Sequence, residues 1–282
     1  RKTMPILSIR KREGDFENIL TRDATTKTAA HIQIPVGENI RRVVIAMPAG
    51  KAALCFETTQ PAGWALEGDV TTFAGKDGQR GVIFVLATKL EAVSIPVSSI
   101  LMNHTLMARF GVDPENKNEN RLMDQIKSGG IKDIECKLGM PLHDLSDRGK
   151  TIGPILDAQQ GKITFTRRSL DGKHRYQMEF IGERALEIRE SGGLIHLSRT
   201  TPSANDPLRL ILRASTDFEP FTPMSLDDLV NERGMDLIRR DTYFAQAMRN
   251  FEFLDFEEKF LAGSWNFLSY FGRDSFISLW IT

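Results

Sequence analysis

The feature that most constrains this chain is a succession of short apolar runs separated by glycine, proline and aspartate. Between residues 32 and 215 the runs recur at intervals of roughly ten residues, with turn-forming residues in the gaps. They occupy residues 42–46, 53–58, 64–72, 81–88, 92–97, 131–138, 162–168, 174–180, 185–188, 194–199 and 208–214. The gaps between most of these runs contain no apolar residues at helical spacing. We therefore predict a mainly β fold, an antiparallel β-sandwich.

Two local patterns interrupt or join these runs. Residues 118–130 place Leu122, Met123 and Ile126 on one side and end in two glycines, which predicts a short helix. Residues 170–173 contain an Asp-Gly pair between two strand-like runs, which predicts a hairpin.

The pattern changes after residue 217, where prolines and acidic residues precede Ser225. Ser225 with Asp228 three residues later is typical of a helix N-terminus, because the carboxylate lies near the positive end of the helix dipole. Apolar residues then recur at helical spacing over residues 235–253, and residues 256–263 predict another turn or two. We place the domain boundary near Phe221.

Two domains follow from this division. Residues 1–220 form the predicted sandwich, and residues 221–282 form the beginning of an α-helical domain. Residues 275–282 are apolar almost all round, which requires neighbours on several sides. Three helices cannot supply them, so we expect a truncated helical domain whose missing remainder packs on the β-domain.

The charge balance excludes several classes of partner. Lys plus Arg and Asp plus Glu are equal at 37 each, so the chain has no net charge that would attract nucleic acid. No segment approaches the roughly 20 apolar residues of a membrane-spanning helix. Cys55 and Cys136 are predicted to be buried free thiols, which favours a reducing, cytoplasmic location.

The residues that carry chemistry lie near the end of the chain, where residues 265–275 read WNFLSYFGRDS. Arg273 offers a planar set of hydrogen-bond donors, and Asp274 offers a carboxylate that accepts two bonds. Trp265 supplies an aromatic surface for the apolar face of a sugar ring. The simpler alternative is that Asp274 caps a helix while Arg273 forms a surface ion pair. Local chemistry leaves both open.

This motif resembles the Trp-Phe-x-x-x-Phe-Gly-Arg-Asp-Ser/Thr signature of glycogen-debranching, amylo-α-1,6-glucosidase-like glycoside hydrolases, and is similar to a segment of glucoamylases. The resemblance is strong over about 20 residues. It implies a supersandwich-like antiparallel β-sandwich followed by a barrel of six α/α hairpins, of which this chain would contain the first helices. It also implies that Arg273 and Asp274 bind substrate hydroxyls, with Trp265 as a wall of the pocket. The implied substrate is an oligosaccharide or polysaccharide. It would be an α-glucan or a related oligosaccharide that contains another sugar.

Hydrolysis in such enzymes needs two carboxylic acids, one protonating the leaving oxygen and one activating water. In the resembled families both lie further along the barrel. We therefore expect no catalytic residue within this chain, and the general acid and base beyond Thr282. The alternative function is a non-catalytic carbohydrate-binding or assembly β-domain, which a natural stop codon at this point would favour.

Other sites are not predicted. The histidines and cysteines lack metal-ligand spacing, nucleotide-binding glycine motifs are absent, and we expect neither metal nor cofactor. The acidic residues ahead of the motif are Asp255, Glu257 and Glu258. We expect them on an exposed helix surface, where their pKa values would not suit acid or base catalysis.

Overall fold

The computed structural model describes residues 6–47, 52–103, 155–159, 161–168, 174–183, 186–200 and 206–261. Within these ranges the chain is mainly β, and all the named strands pair antiparallel. The mainly β, antiparallel fold class predicted from the sequence is therefore confirmed.

The first six-stranded sheet has the order β1-β2-β3-β4-β5-β9. Its strands are β1 (Ile6–Glu13), β2 (Phe16–Asp23), β3 (Thr28–Pro35), β4 (Arg42–Met47), β5 (Ala52–Glu57) and β9 (Leu101–Asn103). Neighbours in this sheet are mostly neighbours in sequence, as in a meander of hairpins. The sequence had not predicted strands before residue 32, so β1, β2 and most of β3 correct it.

The second six-stranded sheet has the order β10-β11-β12-β15-β7-β6. Its strands are β6 (Ala65–Ala74), β7 (Arg80–Thr88), β10 (Ile155–Gln159), β11 (Lys162–Arg168), β12 (Arg175–Gly182) and β15 (Leu208–Thr216). A smaller sheet has the order β13-β14-β8, with β8 (Ala92–Pro96), β13 (Leu186–Ser191) and β14 (Leu194–Arg199). The predicted helix at 118–130, the strand at 131–138 and the hairpin turn at 170–173 lie outside the described residues.

One large apolar core joins the sheets. It takes alternate residues of the central strands, such as Val82, Phe84 and Leu86 of β7, as the two-residue period of a pleated strand requires. At its centre the ring of Phe180 meets the rings of Phe56 and Phe165 edge to face, with centroids 5.2 and 5.9 Å away. Trp64 is also buried. Cys55 is buried too, as predicted for a thiol in this strand, whereas Cys136 lies outside the described residues.

One close approach in this core depends on a glycine. Gly81 in β7 pairs with Ser215 in β15. A Cβ atom at residue 81 would overlap the backbone carbonyl of Ala214, which has no room to move within the sheet. Only a residue without a side chain fits here.

Three helices follow the sandwich: α1 (Leu226–Leu229), α2 (Glu232–Arg240) and α3 (Thr242–Leu254). The predicted start is confirmed, because Oδ2 of Asp228 accepts hydrogen bonds from the Ser225 hydroxyl at 2.7 Å and backbone N–H at 3.3 Å. The single helix expected over 235–253 is instead divided. Asp241 breaks it by accepting hydrogen bonds from the N–H groups of Tyr243 and Phe244, which makes it the N-cap of α3.

The expected helical turn over 256–263 is wrong. After α3 the chain forms a short hairpin of β16 (Asp255–Phe256) and β17 (Lys259–Phe260). Apolar residues four apart gave this stretch a helical spacing, but Glu257 and Glu258 form its turn. We call residues 222–261 the docked segment. The domain boundary near Phe221 and the α/α barrel stay predictions.

A second, smaller apolar cluster attaches the docked segment to the first sheet. Leu7, Ala29 and Ala46 project from the sheet face that points away from the main core. They meet Phe253, Phe256 and Leu261 of the docked segment. The sandwich therefore has a large core of its own, and the helices depend on a much smaller contact.

Candidate functional site

The site residues predicted from the sequence, Trp265, Arg273 and Asp274, lie outside the described residues. The described residues that precede them in sequence form a junction where the docked segment meets the first sheet. This junction contains the buried charges of the molecule's helical end, and we describe it from its residues upward.

Arg22 of β2 is the centre of the junction. Its side chain is only 5% exposed, and it reaches across to the docked segment. The Nη1 atom donates to the backbone carbonyls of Glu252 and of Asp255, the latter at 2.9 Å. The Nη2 atom donates to the carbonyl of Met224 at 2.6 Å and lies 3.2 Å from the Glu252 carboxylate. One guanidinium thus holds both ends of the helical region.

The pKa values of Arg22 and Glu252 are shifted mainly by the burial of the two charged groups. Burial lowers the pKa of Arg22, although the carboxylates of Glu252 and Asp255 act in the opposite direction. Burial likewise raises the pKa of Glu252 against the attraction of Arg22. Both shifts disfavour the charged forms. The pair therefore fixes geometry more than it contributes net stability.

Asp255 corrects the sequence-based expectation of an exposed residue. Because α3 ends at Leu254, the carboxylate of Asp255 turns toward the sheet, and the residue is 5% exposed. Burial raises its pKa to about 6, although the charge of Arg22 opposes this. Its Oδ2 atom has no hydrogen-bond partner among the described residues. Glu257 and Glu258 are exposed, as expected.

A second set of polar contacts fastens the turn of the hairpin. The carboxylate of Glu258 accepts hydrogen bonds from the backbone N–H of Thr222 at 2.8 Å and from its hydroxyl at 2.9 Å. That hydroxyl in turn accepts a bond from Nζ of Lys27, at 2.9 Å. Lys27 belongs to the turn between β2 and β3, so this chain of bonds also joins sheet to docked segment.

An open groove of about 720 Å³ runs between β1 and the three helices. Its walls carry hydroxyl, amide and charged side chains, together with a few apolar side chains. The lining residues are Ser8, Ile9, Arg10, Ser225, Leu226, Asp227, Met235, Ile238, Thr242, Ala245, Gln246, Arg249 and Glu252. It is large enough for a small polar molecule. Its charges of both signs favour no single ion.

The same outward face of the first sheet carries a buried histidine. His31 is 5% exposed, and its Nε2 atom lies 2.9 Å from Oδ1 of Asn18. Burial lowers the pKa of His31 to about 4, so the ring is neutral at neutral pH. Over the described ranges, no group of three His, Cys, Asp or Glu side chains is arranged to hold a metal ion. His104 and His143 lie outside these ranges.

Comparison with known proteins gives no family. No family model matches the chain, and no curated protein matches it. A solved structure described as "Putative kojibiose phosphorylase from human microbiome" is similar at 8% sequence identity and a TM-score of 0.25. The match covers 86% of this chain and 24% of that one, so this chain spans about a quarter of that protein. None of the helices in the described part of the chain is long and apolar enough to cross a membrane.

Proposed function

We propose that this chain is the front portion of a carbohydrate-active enzyme, a glycoside hydrolase acting on α-glucan or a related oligosaccharide. The observation that carries the proposal is the motif at residues 265–275, which begins four residues after the docked segment ends. The order of a β-sandwich followed by helices agrees with the architecture that the motif's resemblance implies. In this proposal the sandwich is a platform on which the helical, sugar-binding domain begins.

The roles of the motif residues follow from their chemistry. Arg273 donates paired hydrogen bonds to neighbouring sugar hydroxyls, and Asp274 accepts hydrogen bonds from them. Trp265 covers the apolar face of the ring. The bond is cleaved with inversion by two carboxylic acids supplied beyond Thr282, one on each side of the glycosidic bond.

Calorimetric titration of residues 1–282 with maltotriose and isomaltotriose tests the proposal, with cellotriose as the β-linked control. Each charged hydrogen bond contributes about 1.5–3 kcal/mol. We therefore expect Asp274→Asn to weaken α-glucan binding at least about tenfold. Asp236→Asn, which makes the same change on exposed α2, should leave it unaltered.

Three results would count against the proposal. The site assignment fails if no α-glucan binds, or if Asp274→Asn binds as tightly as the parent chain. Binding that survives Asp274→Asn favours the alternative of a non-catalytic carbohydrate-binding sandwich. Glucose release from maltooligosaccharides by residues 1–282 alone would contradict the placement of both catalytic acids beyond Thr282.

A further inference from the structure

The junction contains a carboxylate that is buried beside a guanidinium but not bonded to it. All the described bonds of the Arg22 terminal nitrogens go to backbone carbonyls and to Glu252, not to the Asp255 carboxylate. Asp255 accepts a bond from the backbone N–H of Phe256, while its Oδ2 has no partner among the described residues. Ionised Asp255 therefore loses most of its hydration, and its Oδ2 atom gains no hydrogen bond from a described residue in exchange.

The other charges around Asp255 do not favour its ionised form. Arg22 of β2 is the cation that faces it, and Glu252 of α3 already shares that cation. Asp228 of α1 adds a negative charge that raises the pKa of Asp255 further. The charges of Asp227 and Arg249 act on Glu252 with opposite signs. Desolvation is thus the main cause of the raised pKa of Asp255. Binding of a single proton removes the charge and with it the cost of burying that charge.

Asp255 also lies where the docked segment is fastened. Its carbonyl accepts hydrogen bonds from Arg22 at 2.9 Å and from the N–H of Met224 at 3.3 Å. The next residue, Phe256, packs against Phe221 with ring centroids 5.6 Å apart. The apolar cluster here is small, so the free energy that holds the segment is limited, and a change at one group alters it substantially.

We propose that Asp255 is a proton-dependent docking contact: the docked segment is held tightly against the first sheet when Asp255 is protonated and loosens when it ionises. The inference goes beyond the proposed function, and it holds whether or not the chain binds sugar. It assigns Asp255 a conformational role in place of the surface role expected from the sequence.

The direction and size of the effect follow from the proton equilibrium. The ordinary pKa of 3.8 applies to the open segment, and the pKa of about 6 applies to the docked one. The docked state thus binds more protons between these values, and docking weakens as pH rises. The stabilisation is complete below about pH 4 and is lost as pH rises through about 6. Two pKa units set an upper limit of about 100-fold on the change in the docking equilibrium.

Hydrogen exchange of the α3 amides in the full chain tests this, with Asp255→Asn as the neutral mimic of the protonated acid. At about pH 7.5 we expect α3 in the variant to be protected about 10- to 100-fold more than in the parent chain. At about pH 4.5 the difference should shrink to less than about tenfold, because docked Asp255 in the parent is then protonated and only the open state is still ionised. Glu257→Gln, an exposed change two residues away, should match the parent at both values.

Amides of β7 and β15 in the main core serve as the internal reference for correct folding. Equal α3 protection in Asp255→Asn and the parent at the higher pH overturns the proposal. So does a carboxyl carbon titration, by NMR, that places the pKa of Asp255 in the folded chain at or below its ordinary value. Neither result depends on sugar binding, so this inference and the proposed function fail independently.

Discussion

Replacing Arg22 by methionine should release the docked segment without unfolding the sandwich. The change removes hydrogen bonds to the carbonyls of Met224, Glu252 and Asp255, and leaves the Glu252 carboxylate, 13% exposed, without its cation. Removing one partner of a buried ion pair costs about 3–5 kcal/mol. Because Glu252 lines the open groove, water reaches it after the change, and we take the lower figure, about 3 kcal/mol.

A loss of this size increases the opening of the segment more than about 100-fold, since each 1.4 kcal/mol is a factor of ten. Hydrogen exchange resolved by peptide is the suitable assay, because it separates α3 from the strands. We expect α3 to exchange at least about 100-fold faster while β7 and β15 keep the parent rates. The main core does not include Arg22, which is why it should be unaffected.

The double variant Arg22→Met, Glu252→Met is the matched control. It removes both members of the ion pair, so Glu252 is no longer left without its cation, and part of the protection should return at about pH 5, where Asp255 is protonated. The reasoning is refuted if Arg22→Met leaves α3 protection unchanged, or if the strands lose protection to the same extent as α3. The first result would mean that the apolar cluster and the contacts of Lys27, Thr222 and Glu258 hold the segment without Arg22. The second would mean that segment and sandwich unfold as one unit.

Two further predictions concern the sandwich. Gly81→Ala should lower the free energy of urea unfolding by at least about 2 kcal/mol, because the new methyl group overlaps the carbonyl of Ala214; an unchanged midpoint would contradict the close approach. The lowered pKa of His31, about 4, means that the unfolded chain binds more protons between about pH 6.5 and 4. Stability is therefore complete above about pH 6.5 and falls by up to about 3 kcal/mol as pH decreases toward 4. His31→Gln should remove this dependence in denaturant titrations, and a variant that keeps it would show that another group is responsible.

The sequence was informative where local pattern and tertiary environment agree. The alternation through Val82, Phe84 and Leu86 gives one strand face that enters the core, and it predicted β7 correctly. In β1 only Leu7 is buried, and residues 10–13 are all charged, so this edge strand has no such alternation. A polar edge suits a strand that pairs on one side only.

The junction could not be predicted because its members are far apart in the chain. Arg22 and Asp255 are separated by 233 positions. No pattern in the sequence around either residue distinguishes it from an exposed charged residue. The helical spacing of the apolar residues around Asp255 also favoured an exposed helix surface. In the structure α3 ends at Leu254, and Asp255 begins the following hairpin with its side chain buried. Whether a charged residue is buried depends on tertiary contacts, so it cannot be predicted from the local spacing of apolar residues.

Asp255 and His31 change the protein in opposite directions as pH falls. Protonation of Asp255 strengthens the attachment of the docked segment, whereas protonation of His31 opposes the fold of the sheet to which that segment attaches. A global unfolding measurement reports the sum of the two contributions to the free energy of unfolding, and these partly cancel because their signs are opposite. Local exchange separates them, since α3 should become more protected from about pH 7 to 5 while the main core loses protection. With respect to these two groups, the sandwich therefore keeps its full stability above about pH 6.5, where the attachment of the docked segment is weakest.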